Sequence, residues 1–263
     1  MDPFPKGGVA VVTGAASGIG RAAAKRLAEM EMRLALVDLP GPKLDAAAAE
    51  TGAMAIAADL SEPASIAMIR DRVLADLGAP AFLMNNAGAR EGRTWEGDRA
   101  LWRKLMEVNF WAVASACDAF LPAMGEAGGV IVNTGSKQGI TNPPGTPIYN
   151  VSKSAVKTYT EALEHKLRGR DGPRVSAHLL IPGWTTVGDA DHKPGAWLPE
   201  QVVEMMIAGV RVGDFHILCP DDETTPEMDR KRILWAAGDL TESRPPLSRW
   251  HPDWKARAAK ACS

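Results

Sequence analysis

Cysteine is scarce in this chain: three residues in 263, Cys117, Cys219 and Cys262, too scattered for a disulfide framework or a zinc site. They read as reduced thiols, and the expected location is the cytoplasm. The N-terminal Met1-Asp2-Pro3-Phe4-Pro5-Lys6 lacks the basic flank and apolar core of a secretory leader. No run of about 18 apolar residues is available to span a bilayer. Charge of one sign is lacking as well. A formal net charge of −2 argues against a general binder of nucleic acid or acidic membrane. Repeats, low-complexity tracts and flexible linkers are also missing. Small molecules and further copies of the chain are the partners left.

What the chain does have is core material. Hydrophobic residues make up 46% and charged residues 24%, which excludes disorder, and one α/β sheet can use the whole length. Val9 to Thr13 is a short β-branched run of the kind found in buried parallel strands. It ends at Gly14-Ala15-Ala16-Ser17-Gly18-Ile19-Gly20, and an Ala-rich helical pattern follows from Arg21 to about Met30. Leu34 to Asp38 is a second strand, so this stretch is one βαβ unit. The spacing is G-x-x-x-G-x-G rather than G-x-G-x-x-G, yet the context gives it a task. A tight turn that delivers backbone amides to a helix N-terminus is an anion site, and side chains there would keep a pyrophosphate at a distance. Asp38 lies 18 residues after Gly20, where an acid accepts from both ribose hydroxyls of an adenosine and repels a 2′-phosphate. NAD is therefore favoured over NADP.

The alternation continues. Ala53 to Ala58 reads as a third strand closing on Asp59-Leu60, and Ser61 is placed to cap a helix running to about Leu77. Ala81 to Asn85 leads into Asn85-Asn86-Ala87-Gly88, small and amide-bearing residues suited to a turn beside a nucleotide. A helix is expected from Asp98 to Leu121, with Asn109 in its middle either at the surface or hydrogen-bonding inward. Strands at Gly129 to Thr134, Val175 to Ile181 and Phe215 to Cys219 complete seven, with helices at Tyr149 to Arg168 and Glu200 to Val210. The expectation is a doubly wound parallel sheet covered on both faces, a single domain over 1–263, with ligands outside the carboxyl ends of the strands. Beyond Cys219, residues 220–263 form an extension with a helix at Thr224 to Ala237. Its Trp- and Pro-rich end should pack on the body or on a neighbouring subunit. His165, His178, His192, His216 and His251 read as structural or solvated.

One pair carries chemistry. Tyr149 and Lys153, four residues apart on a helix, share a face. A tyrosine ionises near pH ~10, and a neighbouring cation or a helix N-terminus lowers that value, so Tyr149 is a candidate acid or base.

Thr13-Gly14-x-x-x-Gly18-Ile19-Gly20, Asn85-Asn86-Ala87-Gly88, Asn109, Ser136 and Tyr149-x-x-x-Lys153, in this order and spacing, resemble the short-chain dehydrogenase/reductase family over about Lys6 to Cys219. The resemblance implies a Rossmann-like fold and an NAD-dependent enzyme interconverting secondary alcohols and ketones. In that reading Tyr149 is the acid or base, and Lys153 binds the nicotinamide ribose and lowers the Tyr149 pKa. Ser136 hydrogen-bonds the substrate oxygen, and Asn109 bends its helix and holds a water in a proton relay. Cofactor contacts would come from Gly14, Ser17, Gly18, Ile19, Gly20, Asp38, Leu39, Asp59, Leu60, Asn86, Ala87, Gly88, Pro182, Gly183, Thr185 and Thr186, together with Tyr149 and Lys153. Val187 departs from the pattern, which places a carboxamide-binding Thr there; Thr185 or Thr186 is the candidate substitute.

The substrate pocket would be formed by Arg90, by Gln138 with neighbouring Lys137, and by Trp184 through Trp197. Arg90 and Gln138 offer donors for a carboxylate, and Trp184 a cover for an aromatic or alicyclic body. The alternative is that Arg90 and Lys137 are solvated while Trp184 and Trp197 pack a lid. The resemblance further implies a homotetramer, or a homodimer, built through the Asp98–Leu121 and Tyr149–Arg168 helices and the last strand. Two other classes stay open: a nucleotide-sensing protein that keeps the fold without the chemistry, and a sugar-nucleotide epimerase or dehydratase. Intact Tyr149, Lys153, Ser136 and Asn109 weigh against the first, and chain length against the second.

Overall fold

Parallel strands need crossovers long enough to hold a helix, and short β-branched runs separated by helical ones meet that need here. The computed structural model describes residues 2–90, 99–187 and 191–263. Its strands are β1 (Val9–Thr13), β2 (Arg33–Asp38), β3 (Met54–Ala57), β4 (Pro80–Asn85), β5 (Gly129–Thr134), β6 (Val175–Ile181) and β7 (His216–Leu218). They form one seven-stranded sheet in the order β3-β2-β1-β4-β5-β6-β7, parallel at every pairing. The order reverses between β1 and β4, and there the carboxyl ends of the strands open a crevice.

Side chains on a strand alternate between faces, so β1 feeds two cores. Ala10 and Val12 join Leu27, Val203, Met206 and Ile207 on one side; Val9 and Val11 join Ile69, Phe120, Met124 and Leu163 on the other. The covering helices are α1 (Gly18–Glu29), α2 (Pro42–Thr51), α3 (Ala64–Asp76), α4 (Arg99–Met106), α5 (Ala112–Ala127), α6 (Gln138–Thr141), α7 (Pro147–Arg168) and α8 (Pro199–Val212). The extension adds α9 (Pro226–Thr241), a 3-10 turn at Ser248–Trp250, and α10 (Lys255–Cys262). Thr225 Oγ1 caps α9 by accepting from Met228 N at 3.2 Å. In the tail, the buried Arg244 guanidinium lies 4.1 Å from the centre of the Trp235 ring and 5.9 Å from that of Trp254. Among the described residues no helix is long and apolar enough to cross a membrane.

Several boundaries differ from expectation for local reasons. Helix α1 starts at Gly18, inside the glycine turn, because the turn itself winds into the first helical residues. Helix α2 was not anticipated between β2 and β3; its Pro42 sits in the first turn and Gly52 closes it in the left-handed region at φ +67°. Ser61 does not cap α3. Its N–H and hydroxyl both donate to Asp59 Oδ1 at 2.8 Å, and α3 begins after Pro63. The expected start at Asp98 lies outside the described residues. The Asp98–Leu121 expectation otherwise becomes α4 and α5, joined by a π turn at Glu107–Trp111.

A Cβ at Gly52 would meet open space, so Gly52→Ala tests backbone conformation without a clash. We expect it to cost about 1–2 kcal/mol, read as a lower urea midpoint with unchanged slope.

Candidate active site

Gly14 and Gly18 take φ +67° and +52°, left-handed values that glycine reaches without strain. The turn is also wedged against the loop after β4. A Cβ on Gly14 would stand 2.8 Å from Ala87 Cα, and one on Gly20 would overlap the Gly14 carbonyl. Thr13 Oγ1 fixes that contact by accepting from Asn86 N at 2.9 Å and Ala87 N at 3.1 Å, while Asn86 Nδ2 donates to Thr13 O at 3.2 Å. At the end of β2 the Asp38 carboxylate accepts from Ala16 N at 2.9 Å and Leu39 N at 2.8 Å, which turns it into the crevice beside the glycines. Asp59 is held below the usual carboxylate range chiefly by its backbone and side-chain hydrogen bonds from Ser61.

The other half of the site is built on α7, with Pro147 in its first turn and Tyr149 and Lys153 one turn apart. Gly139 lets α6 touch that helix: a Cβ there would lie 2.6 Å from the Lys153 carbonyl carbon. Ser154 Oγ donates to Gly139 O at 2.8 Å. The loop carrying Ser136 is thereby laid against α7, which brings the Ser136 hydroxyl to the Tyr149 side of the cleft, where it accepts from Gln138 N at 3.2 Å. Lys153 is 3% exposed and donates to Thr134 O at 2.7 Å.

Asn109 sits in the π turn and is fully buried. Its Oδ1 accepts from Ala89 N at 2.7 Å; its Nδ2 donates to Ala89 O at 2.9 Å and Ser152 Oγ at 3.0 Å. The inward alternative holds, and the amide ties the loop after β4 to α7.

Burial raises the Tyr149 pKa above its ordinary value; the Ser136 hydrogen bond and the Arg90 charge pull part of the way back. Lys153, expected to lower it, donates to Thr134 O at 2.7 Å and stands 5.8 Å from the phenol ring centre. Arg90 stands 5.5 Å from the same centre, and its charge favours the phenolate. Burial also pushes Lys153 down to about 8.

These groups line one cleft of about 800 Å³. Gly14, Ser17, Gly18, Ile19, Asp38, Leu39, Asp59, Leu60, Asn86, Ala87 and Gly88 form one wall; Ser136, Gln138, Tyr149, Lys153, Pro182, Gly183, Trp184, Thr185 and Arg90 form the other. Three expected site residues do not line it. Gly20 is packed under the turn, Asn109 is behind the wall, and Thr186 faces away, with its N–H on Trp197 O at 2.9 Å and its hydroxyl 3.0 Å from His192 Nδ1. Val187 does line it, within 3.3 Å of where a Gly18 Cβ would stand.

At the far end Trp184 is 41% exposed and forms wall rather than core. Gln138 Oε1 accepts from Thr146 Oγ1 at 3.0 Å. The view of Lys137 as solvated is overturned: its ammonium pairs with Asp221 and Asp229 and is 16% exposed. In the Trp184–Trp197 segment, residues 188–190 lie outside the described residues. Lys104, Val108, Thr134 and Gly135 also line the cleft and were not anticipated. Lys104 and Val108 reach it from the helical stretch before Asn109, where sequence periodicity shows no mark of a site.

The family model for short chain dehydrogenases matches residues 8–195. A "Putative oxidoreductase SadH" of Mycobacterium tuberculosis is 36% identical over 240 residues, 81% of this chain and 86% of that protein. A cis-4-hydroxycyclohexanecarboxylate dehydrogenase of Sinomonas cyclohexanicum is 34% identical over 212 residues, 78% of this chain and 82% of that protein. Among solved structures, a short chain dehydrogenase/reductase from Burkholderia phymatum in complex with NAD superposes with TM-score 0.82 at 28% identity, covering 94% of this chain and 98% of that one. A metagenomic short-chain oxidoreductase in complex with NADP gives TM-score 0.70 at 29% identity, covering 82% and 98%. The chain belongs to the short-chain dehydrogenase family, and is an oxidoreductase of that family.

The depressed Lys153 value sets a pH test. A lysine whose folded value of about 8 lies below its ordinary 10.5 contributes stability that is complete above 10.5 and lost as pH falls through about 8. Lys153→Met removes that dependence. Between pH 7 and pH 10.5 the wild-type chain, without cofactor, should gain on the variant by on the order of 2–3 kcal/mol in urea unfolding. Parallel curves would mean that the ammonium is solvated.

Proposed function

We propose that this chain is an NAD-dependent dehydrogenase of secondary alcohols, able to reduce the corresponding ketones, whose substrate bears a carboxylate on a cyclic or aromatic body. The observation that carries the reading is the meeting of Ser136, Tyr149 and Lys153 at one end of a single cleft whose other end is formed by the glycine turn and Asp38. The cleft fits a nicotinamide dinucleotide: backbone fills the space where side chains at Gly14 and Gly20 would point, so the turn presents bare amides for a pyrophosphate. Asp38 and Leu39 would hold the adenosine ribose, Asp59 and Leu60 the adenine, and Asn86, Ala87 and Gly88 the wall beside them. Pro182, Gly183 and Thr185 would hold the nicotinamide end. Asp38 supports NAD, since its carboxylate meets the ribose hydroxyls and repels a 2′-phosphate. When bound, the nicotinamide supplies the hydride acceptor for the alcohol carbon.

The chain's own residues handle the proton and the alignment. Ser136 holds the substrate oxygen, and Tyr149 Oη takes the hydroxyl proton or returns it to a ketone oxygen. Lys153, held by one hydrogen bond to Thr134 O, has further donors for the nicotinamide ribose. Its charge would favour the phenolate that burial alone disfavours. Asn109 positions this machinery by fastening the loop after β4 to α7. Arg90 stands over the Tyr149 ring and Trp184 closes the far wall, a cation and an aromatic surface suited to an acidic ring substrate. The substrate named for the Sinomonas cyclohexanicum relative has that chemistry. Trp111 and Val151, 52% and 44% exposed, put apolar surface on the helices expected to form a homotetramer; a cytoplasmic location completes the reading.

NADH appearance should be followed with a panel of secondary alcohols that includes cis-4-hydroxycyclohexanecarboxylate, for wild type and Tyr149→Phe. The substitution should lower turnover by at least about a hundredfold. Turnover that survives it refutes the mechanism, and silence of the wild type across the panel favours a nucleotide sensor. Arg90→Ala should raise KM for the acidic alcohol about tenfold, equivalent to about 1.4 kcal/mol, and leave KM for a neutral alcohol unchanged. An equal effect on both would remove the carboxylate from the proposal.

A further inference from the structure

Lys137 separates Ser136 from Gln138, so whatever fixes Lys137 fixes the loop that presents the serine. Its ammonium lies 2.6 Å from Asp229 Oδ2, on α9, and 3.2 Å from Asp221 Oδ2, in the segment between β7 and α9. Both carboxylate side chains are 6% exposed. Asp221 does more: its Oδ2 accepts from Trp184 N at 3.0 Å and its Oδ1 from Glu223 N at 3.2 Å. The same cluster explains Gly183. A Cβ there would stand 2.6 Å from Asp221 Oδ2 and 2.9 Å from Lys137 Nζ, so the glycine leaves room for ions rather than for a turn.

Two carboxylates share one ammonium in a half-dry pocket. Arg232, whose guanidinium donates to Thr224 Oγ1 at 2.9 Å, and Arg249 are the other charges facing Asp229. The Cys219 thiol also faces Lys137. Burial pushes Asp229 above the usual carboxylate range. Such a cluster is a poor way to stabilise a fold, because taking the ions out of water costs about what their attraction returns. What ions supply, and apolar side chains do not, is a fixed direction. Here they fix the serine loop, the loop that starts at Trp184, and the C-terminal extension against one another.

We infer that Asp229, acting through Lys137, is a positioning residue for the Ser136 hydroxyl, which makes α9 of the extension a working part of the active site. For its effect on turnover the inference rests on the proposed roles of Tyr149 and Ser136, so its test reads the phenol directly. The chain has two tyrosines, Tyr149 and Tyr159, and a Tyr159→Phe background leaves one whose phenolate absorbance can be titrated. The neighbouring Ser136 hydroxyl lowers the Tyr149 value, so displacing it should raise the midpoint. Removing a negative charge through space would do the opposite, so the sign separates positioning from simple electrostatics.

In that background Asp229→Asn should raise the midpoint by about half a unit or more, and should add nothing when Ser136→Ala is already present. NADH affinity, read by fluorescence titration, should stay within about twofold of wild type. A midpoint that stays put or falls overturns the inference, as does a rise of equal size in the Ser136→Ala background. If Asp229→Asn does not keep its fold, Asp229→Ala carries the same test. Tyr149→Phe assayed alongside distinguishes the two failures: turnover surviving that substitution sinks the dehydrogenase reading and leaves the titration to stand or fall alone.

Discussion

A protonated amine with almost no access to water is the constraint on which the site depends. Lys153 reaches the crevice from the second turn of α7 and is met by one backbone carbonyl, Thr134 O. A buried ammonium wants its remaining protons satisfied, and burial lowers its affinity for the last of them. Around it the fold is arranged so that the crevice can supply what is missing. β5 ends at Thr134, Gly139 admits α6 to contact with α7, and Asn109 pins the loop after β4 to Ser152 of the same helix. Each is a close approach of backbone to backbone or a buried amide with both ends engaged. The geometry is therefore stiff where the chemistry is proposed to occur.

Much of the fold was legible because its signals are local. β1, β5 and β6 match their expected bounds residue for residue, since apolar β-branched runs bounded by glycine or polar turns have few other uses. The glycine turn and Asp38 were legible for the same reason, since the strand, turn, helix and strand that carry them are contiguous. Helix α2 escaped because Pro42 to Thr51 follows a strand end and two glycine- or proline-bearing residues, and reads as a loop. Ser61 was misplaced because a serine near a helix start can donate to an acid as readily as it can cap. The Asp59 carboxylate, two residues back, won.

The substrate end was less legible because it is assembled from distant pieces. Nothing near Lys137 in sequence shows that Asp221 and Asp229, more than eighty positions on, will take its charge. Helical spacing makes the Tyr149–Lys153 pair obvious, whereas Arg90 carried no sign that it would lie over the same tyrosine ring. Spacing places residues on a face. Which atom a long side chain points at is decided by tertiary partners.

All three cysteines are buried, and burial pushes Cys117 and Cys219 up to about 12. Thiolate is the reactive form, so Cys117 and Cys219 are shielded twice, by access and by protonation, and Cys262 by access. A single cysteine introduced at an exposed position would thus be the preferred handle for alkylating dyes or spin labels, with the native thiols left in place. With two such positions, one on each side, distances across the crevice could be followed in solution as it fills and empties.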